Sequence, residues 1–205
     1  MRRLRLTATA LTLLCASAVA GASAPLIKKT YSYFDIRGLT GADLERELSK
    51  HGPVVSETGV RHPGATKIKL GGSVDYRSSG GKCRVLDAKV TLETHLTLPR
   101  WKDRNRANRE TVIVWDTLSS DIKRHEERHA EIARQYARKL ERTLEALHPE
   151  RNCKRMEARV DATSKSIIEE HAADQERFDR VEAASFERRM LRMLRFKAAK
   201  QNNRS

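Results

Sequence analysis

Aromatic residues are scarce in this 205-residue sequence, at 5%, and they are not interleaved with basic ones, which argues against a nucleic-acid stacking platform. Cysteine is scarcer still: three residues are too few for a disulfide-dense mini-scaffold or a four-cysteine zinc module. No uninterrupted apolar run reaches the roughly 18 residues of a membrane span, so a multi-pass membrane protein is excluded. No internal repeat is visible. Acidic residues are outnumbered, with 27 Asp and Glu against 41 Lys and Arg, a net charge of +14. Hydrophobic residues, at 39%, still suffice for one buried core.

The charge is concentrated at the ends. Arg2, Arg3 and Arg5 precede a mostly apolar stretch, and Ala22-Ser23-Ala24 has the form of a cleavage site, so residues 1–24 read as an export signal. Its removal would leave a periplasmic or secreted chain with a charge of +11. Residues 187–205 hold seven Lys or Arg and one Glu, a basic tail with a weak apolar face that suits an anionic envelope polymer or lipid surface. The domain proper is expected over 25–186. Export also removes Cys15. The remaining pair, Cys83 and Cys153, is expected to form a disulfide, with two free thiols as the alternative.

The patterning predicts an α+β fold. A short strand is expected at 31–36, and Thr40 with Asp43 forms a capping signal for a helix that ends at Gly52-Pro53. A second strand is expected over 66–77, broken at Gly71-Gly72, then a hairpin connection at 78–81. The clearest strand is 83–98. Cys83, Val85, Asp87, Lys89, Thr91, Glu93, His95 and Thr97 alternate with an apolar face of Leu86, Ala88, Val90, Leu92, Leu96 and Leu98, and Pro99 closes it. From Val112 the period becomes helical. Trp115, Leu118, Ile122, Ile132, Tyr136, Leu140 and Leu144 advance by threes and fours until Pro149, and a second long helix is expected over 153–178. The expected architecture is an N-terminal antiparallel sheet with one short helix, followed by a long helical hairpin.

The chemistry lies in a gap in the first long helix, where His125 and His129 occupy positions that the pattern assigns to apolar residues. Four apart, they stack on one face, and His125-Glu126-Glu127-Arg128-His129 is an H-E-x-x-H segment. Two imidazoles at this spacing can share a metal ion, while Glu126 stands one residue around to meet a metal-bound water. A catalytic zinc site needs a third protein ligand. The second long helix offers Glu170, His171, Asp174 and Asp179, and the pattern does not choose among them.

The combination resembles a known family, the predicted secreted zinc-dependent proteases of bacterial exported proteins (domain of unknown function 922). The resemblance rests on Tyr33-Phe34-Asp35-Ile36-Arg37-Gly38, the strand that ends in Leu98-Pro99-Arg100-Trp101, and Arg124 with the H-E-x-x-H segment. Cys153 and the step Phe178-Asp179 extend it over about residues 31 to 182. It implies a zincin-like site: one Zn²⁺ on His125, His129 and a third ligand for which Asp179 is the first choice, with Glu126 as general base in hydrolysis of a peptide or protein. His95, Tyr136 or an arginine would stabilise the oxyanion, and the 83–98 strand would present an edge to substrate. Two departures stand out. Arg128 replaces a typical Gly, and no His-Gly segment follows Phe178-Asp179. They are the grounds for the alternative reading, a catalytically inactive exported binding module of the cell envelope with a basic tail.

Overall fold

A computed structural model of the protein describes residues 24–54 and 59–202. All of the expected export signal except Ala24 lies outside the described residues, as do residues 203–205 of the expected tail. Strand β1 (Leu26–Ile36) leads to helix α1 (Gly41–His51), and strands β2 (Ala65–Ser79) and β3 (Lys82–Trp101) follow. A single 3-10 turn, Arg104–Arg106, precedes helices α2 (Arg109–Glu145) and α3 (Cys153–Asn202). The class is α+β, a three-stranded sheet backed by a helical hairpin. Among the described residues, no helix is long and apolar enough to cross a membrane.

The sheet is mixed rather than antiparallel. β3 is the central strand, paired antiparallel with β2 and parallel with β1. The tight Gly80-Gly81 connection dictates the antiparallel hairpin. β1 is joined to the sheet through α1, a long crossover that permits the parallel direction. Both edges of β3 are paired only over residues 91–97; its 82–90 half has no β1 partner and its end past Thr97 no β2 partner, and the outer edges of the sheet belong to β1 and β2.

Two glycines and a proline behave differently from their sequence reading. β2 runs unbroken through Gly71-Gly72, because at Gly72 a Cβ would come within 2.1 Å of the Lys89 carbonyl oxygen. The glycine allows close strand approach rather than a break. Pro99 does not close β3, which continues to Trp101. β2 pairs no further along β3 than Thr97, so at Pro99 only β1 is alongside, and a residue without an N–H is tolerated.

The alternation along β3 also changes phase. A β-bulge pairs Asp75 with Asp87 but Tyr76 with Val85, which leaves Leu86 as the extra residue. Beyond it every side chain swaps faces. Leu86 is therefore 50% exposed, while Cys83, expected on the polar face, is completely buried. The bulge thus aims Cys83 at the start of α3, where it forms the disulfide with Cys153. Reciprocal backbone hydrogen bonds of 2.8 Å between Cys83 and Glu150 secure the same corner.

The core lies between the sheet and the helical hairpin. Ala88, Val90 and Leu92 of β3 pack on Ala133, Ala137, Leu140 and Leu144 of α2 and on Met156, Val160 and Ile167 of α3. A second cluster gathers Ile36, Leu44, Trp101 and Trp115 where α1 meets the far end of the sheet. α1 begins with the expected capping box, in which the Thr40 hydroxyl accepts from Asp43 N–H and the Asp43 carboxylate accepts from Thr40 N–H. Asn108 caps α2 by accepting from Thr111 N–H at 2.8 Å.

α3 does not stop near Phe178 but continues to Asn202, so the described part of the basic segment is helical. Arg189 anchors it with two bonds to Asp121 of α2, at 2.9 and 3.0 Å. Arg124 reaches the same carboxylate, and both arginines contact Glu182. Asp121 is only 3% exposed. Burial alone would raise its carboxyl, but the bonds from Arg189 and Arg124 outweigh that cost and hold it below its ordinary value.

Candidate metal centre

His125 and His129 project from α2 toward α3, one turn apart. Their Nε2 atoms lie 3.0 Å apart. Asp179 of α3 completes a triangle, with Oδ1 at 3.2 Å from His125 Nε2 and 2.9 Å from His129 Nε2. Among the described residues, no other group of three His, Cys, Asp or Glu residues converges as this one does. The Phe178 ring forms a wall, stacked on His125 and edge-on to His129, with centroids 4.9 and 5.1 Å away. The Asp179 side chain is 53% exposed, so the trio opens to solvent on that side.

The other three expected candidates are engaged elsewhere. Glu170 binds Lys139. Asp174 accepts from Tyr136 Oη at 2.7 Å and pairs with Arg177. His171 Nε2 lies 2.8 Å from Gln175 Nε2. Tyr136 is thereby committed to Asp174; burial, then this carboxylate, pushes its hydroxyl up to about 12. His95 lies on the sheet face opposite the helices and bonds Thr30 and Ser32, so it is not aimed at the trio. The expected oxyanion roles of Tyr136 and His95 therefore find no support in this geometry. Arg128 is exposed, so its bulk does not enter the site.

Gln175, which the sequence reading passed over, orders the centre. Its Oε1 lies 2.6 Å from His129 Nδ1, and its Nε2 donates to the His129 carbonyl at 3.1 Å. A carboxamide oxygen only accepts, so His129 carries its proton on Nδ1 and leaves the Nε2 lone pair for the triangle. The available signal was positional: Gln175 lies four residues from both His171 and Asp179 on one helix. Burial lowers the His125 pKa, with His129 the next cause, and so favours the neutral imidazole that a metal requires. Gln175→Ala is expected to weaken zinc binding about 10- to 100-fold without changing its stoichiometry, as judged by competition with a chromophoric chelator.

Glu126 is held under the loop that enters β2, close enough to the trio to feel the charges of His129 and Asp179. It is 5% exposed. Thr66 Oγ1 donates to its Oε2 at 2.8 Å and to its carbonyl at 3.0 Å. Gly64 seals the carboxylate, since a Cβ there would come within 2.9 Å of Glu126 Oε1 and 2.8 Å of Ile122 Cγ2. Burial pushes the carboxyl up, against the Thr66 hydrogen bond; His129 draws it down and Asp179 pushes it up. Glu127, the next residue, turns outward to Lys29 and Tyr31 of β1.

Two imidazole nitrogens and one carboxylate oxygen form a donor set suited to Zn²⁺ in an open site. With bonds of about 2.0–2.1 Å, tetrahedral ligands stand about 3.3 Å apart, so the observed triangle needs to expand by only a few tenths of an ångström. Over residues 31–186 the sequence matches a family described as a bacterial protein of unknown function (DUF922). No curated protein and no solved structure matches it.

Proposed function

The chain belongs to the DUF922 family, and on that footing we propose that it is an exported zinc-dependent hydrolase, a peptidase with Glu126 as general base. The observation that carries this reading is the His125–His129–Asp179 triangle beside a buried glutamate on the same helix. A bound Zn²⁺ would polarise the substrate carbonyl and supply water whose pKa is lowered to about 7.

The chain's own groups do the rest. Gln175 holds His129 in the ligating tautomer, and the Arg189–Asp121 clamp keeps α3, and with it Asp179, in register with α2. Glu126 takes a proton during attack on the peptide carbonyl and returns it to the leaving amine. Its raised carboxyl moves it toward the range useful for such transfer near neutral pH. The edge of β2, which begins beside Glu126 at Ala65, is the better platform for an extended substrate. The Cys83–Cys153 disulfide is in keeping with an oxidising compartment.

The test is zinc-dependent cleavage within an internally quenched peptide library, compared with Glu126→Gln. Zinc bound by a wild-type chain that cleaves nothing favours the binding-module alternative.

A further inference from the structure

Between α1 and α2 runs an open groove of about 370 Å³. Leu44 and Leu48 form one wall, Val114 and Leu118 the other, with Trp115 at the base and Pro63 at one end. Glu45 is its only charged lining residue. Trp115 and Leu44 are each 4% exposed, whereas Val114 is 42% exposed, so the groove has a buried floor and an accessible rim.

The groove and the metal centre lie along one face of α2. Leu118 precedes His125 by seven residues, two helical turns on the same face, a separation of about 10 Å. Between them, Ile122 touches Gly64, the residue that follows Pro63 and covers Glu126. An extended peptide advances about 3.3 Å per residue, so the interval corresponds to about three residues.

We propose that this groove is a specificity site that takes a bulky apolar side chain of the substrate, about three residues from the scissile bond. The proposal rests on the hydrolase reading. Its occupant is apolar because Leu44, Leu48, Val114, Trp115 and Leu118 surround it, and a charged group buried among them would go uncompensated; Glu45, the charged lining residue, is exposed to solvent.

The experiment uses the zinc-loaded full chain and blocked octapeptides that differ only in Leu or Gly at successive positions. Binding is read on the Glu126→Gln protein from tryptophan emission, since Trp115 forms the groove floor and Trp101 is its edge-on neighbour at 5.8 Å. Cleavage is read on the otherwise unaltered protein. Leu at the right position is expected to raise kcat/KM at least about tenfold over Gly and to produce a saturable emission change. Leu118→Phe, which fills the groove, should erase both differences while zinc affinity stays within twofold. Val114→Phe, at the exposed rim, is the second filling variant should Leu118→Phe fold poorly. Cleavage indifferent to Leu or Gly at every position, and to both Phe variants, overturns the groove and leaves the hydrolase reading intact. Leu-selective, groove-dependent binding without cleavage by the Glu126 protein overturns the hydrolase reading and sustains the groove as a peptide site.

Discussion

Glu126→Gln is expected to lower peptide hydrolysis about 10²- to 10⁴-fold, the usual contribution of a positioned general acid–base group, while zinc remains bound. Glutamine matches glutamate in size. It still offers a carbonyl oxygen to Thr66 Oγ1 and still fits under Gly64, where a Cβ would already come within 2.9 Å of the carboxylate. What it loses is the capacity to take a proton. The substitution therefore separates chemistry from architecture, as initial rates and bound zinc measured on the same preparations will show. Hydrolysis within twofold of the wild type would remove Glu126 from the mechanism.

The second large effect concerns the corner that starts α3. Replacing Cys83 and Cys153 together by Ala should lower stability by about 4 kcal/mol, because the bond closes a loop across a separation of 70 residues. Cys83 is completely buried and packs in the main core, so a smaller side chain there adds to the loss. Urea unfolding of the two proteins measures the difference. A loss below about 1 kcal/mol would mean that the unfolded chain is already constrained near this corner, or that packing alone holds it. The disulfide sets the beginning of α3 against β3, whereas Gln175 and Arg189 set its middle against α2. The position of Asp179 thus depends on anchors that precede and follow it along α3.

Periodicity is what made the histidine pair legible. His125 and His129 interrupt an apolar helical stripe, and i, i+4 spacing alone places them on one face. The third member of the trio was not legible from spacing, because α3 carries four candidates that spacing leaves unranked; the family resemblance alone put Asp179 first. The selection comes from what their neighbours do: Lys139 engages Glu170, Tyr136 and Arg177 engage Asp174, and Gln175 engages His171. Asp179 is the one that reaches the imidazoles. The bulge at Leu86 was equally hidden. Strict alternation put Cys83 on the polar face, and only an unpaired residue in the middle of the strand moves it inward. The parallel pairing of β1 with β3 depends on a crossover through α1, which no local signal in β1 encodes. Arg189 looked like one of several tail charges. It proves to be the residue that binds the tail helix to α2, through a carboxylate 68 positions away in sequence.

The most direct test of the account is metal content. The protein lacking residues 1–24 is purified without metal-affinity steps and analysed by mass spectrometry beside His129→Ala, both before and after zinc loading and desalting. The account predicts about one zinc per chain in the wild type and essentially none in the variant, with folding of both verified by circular dichroism. No zinc in the folded wild type after loading, or equal zinc in the two proteins, would contradict it.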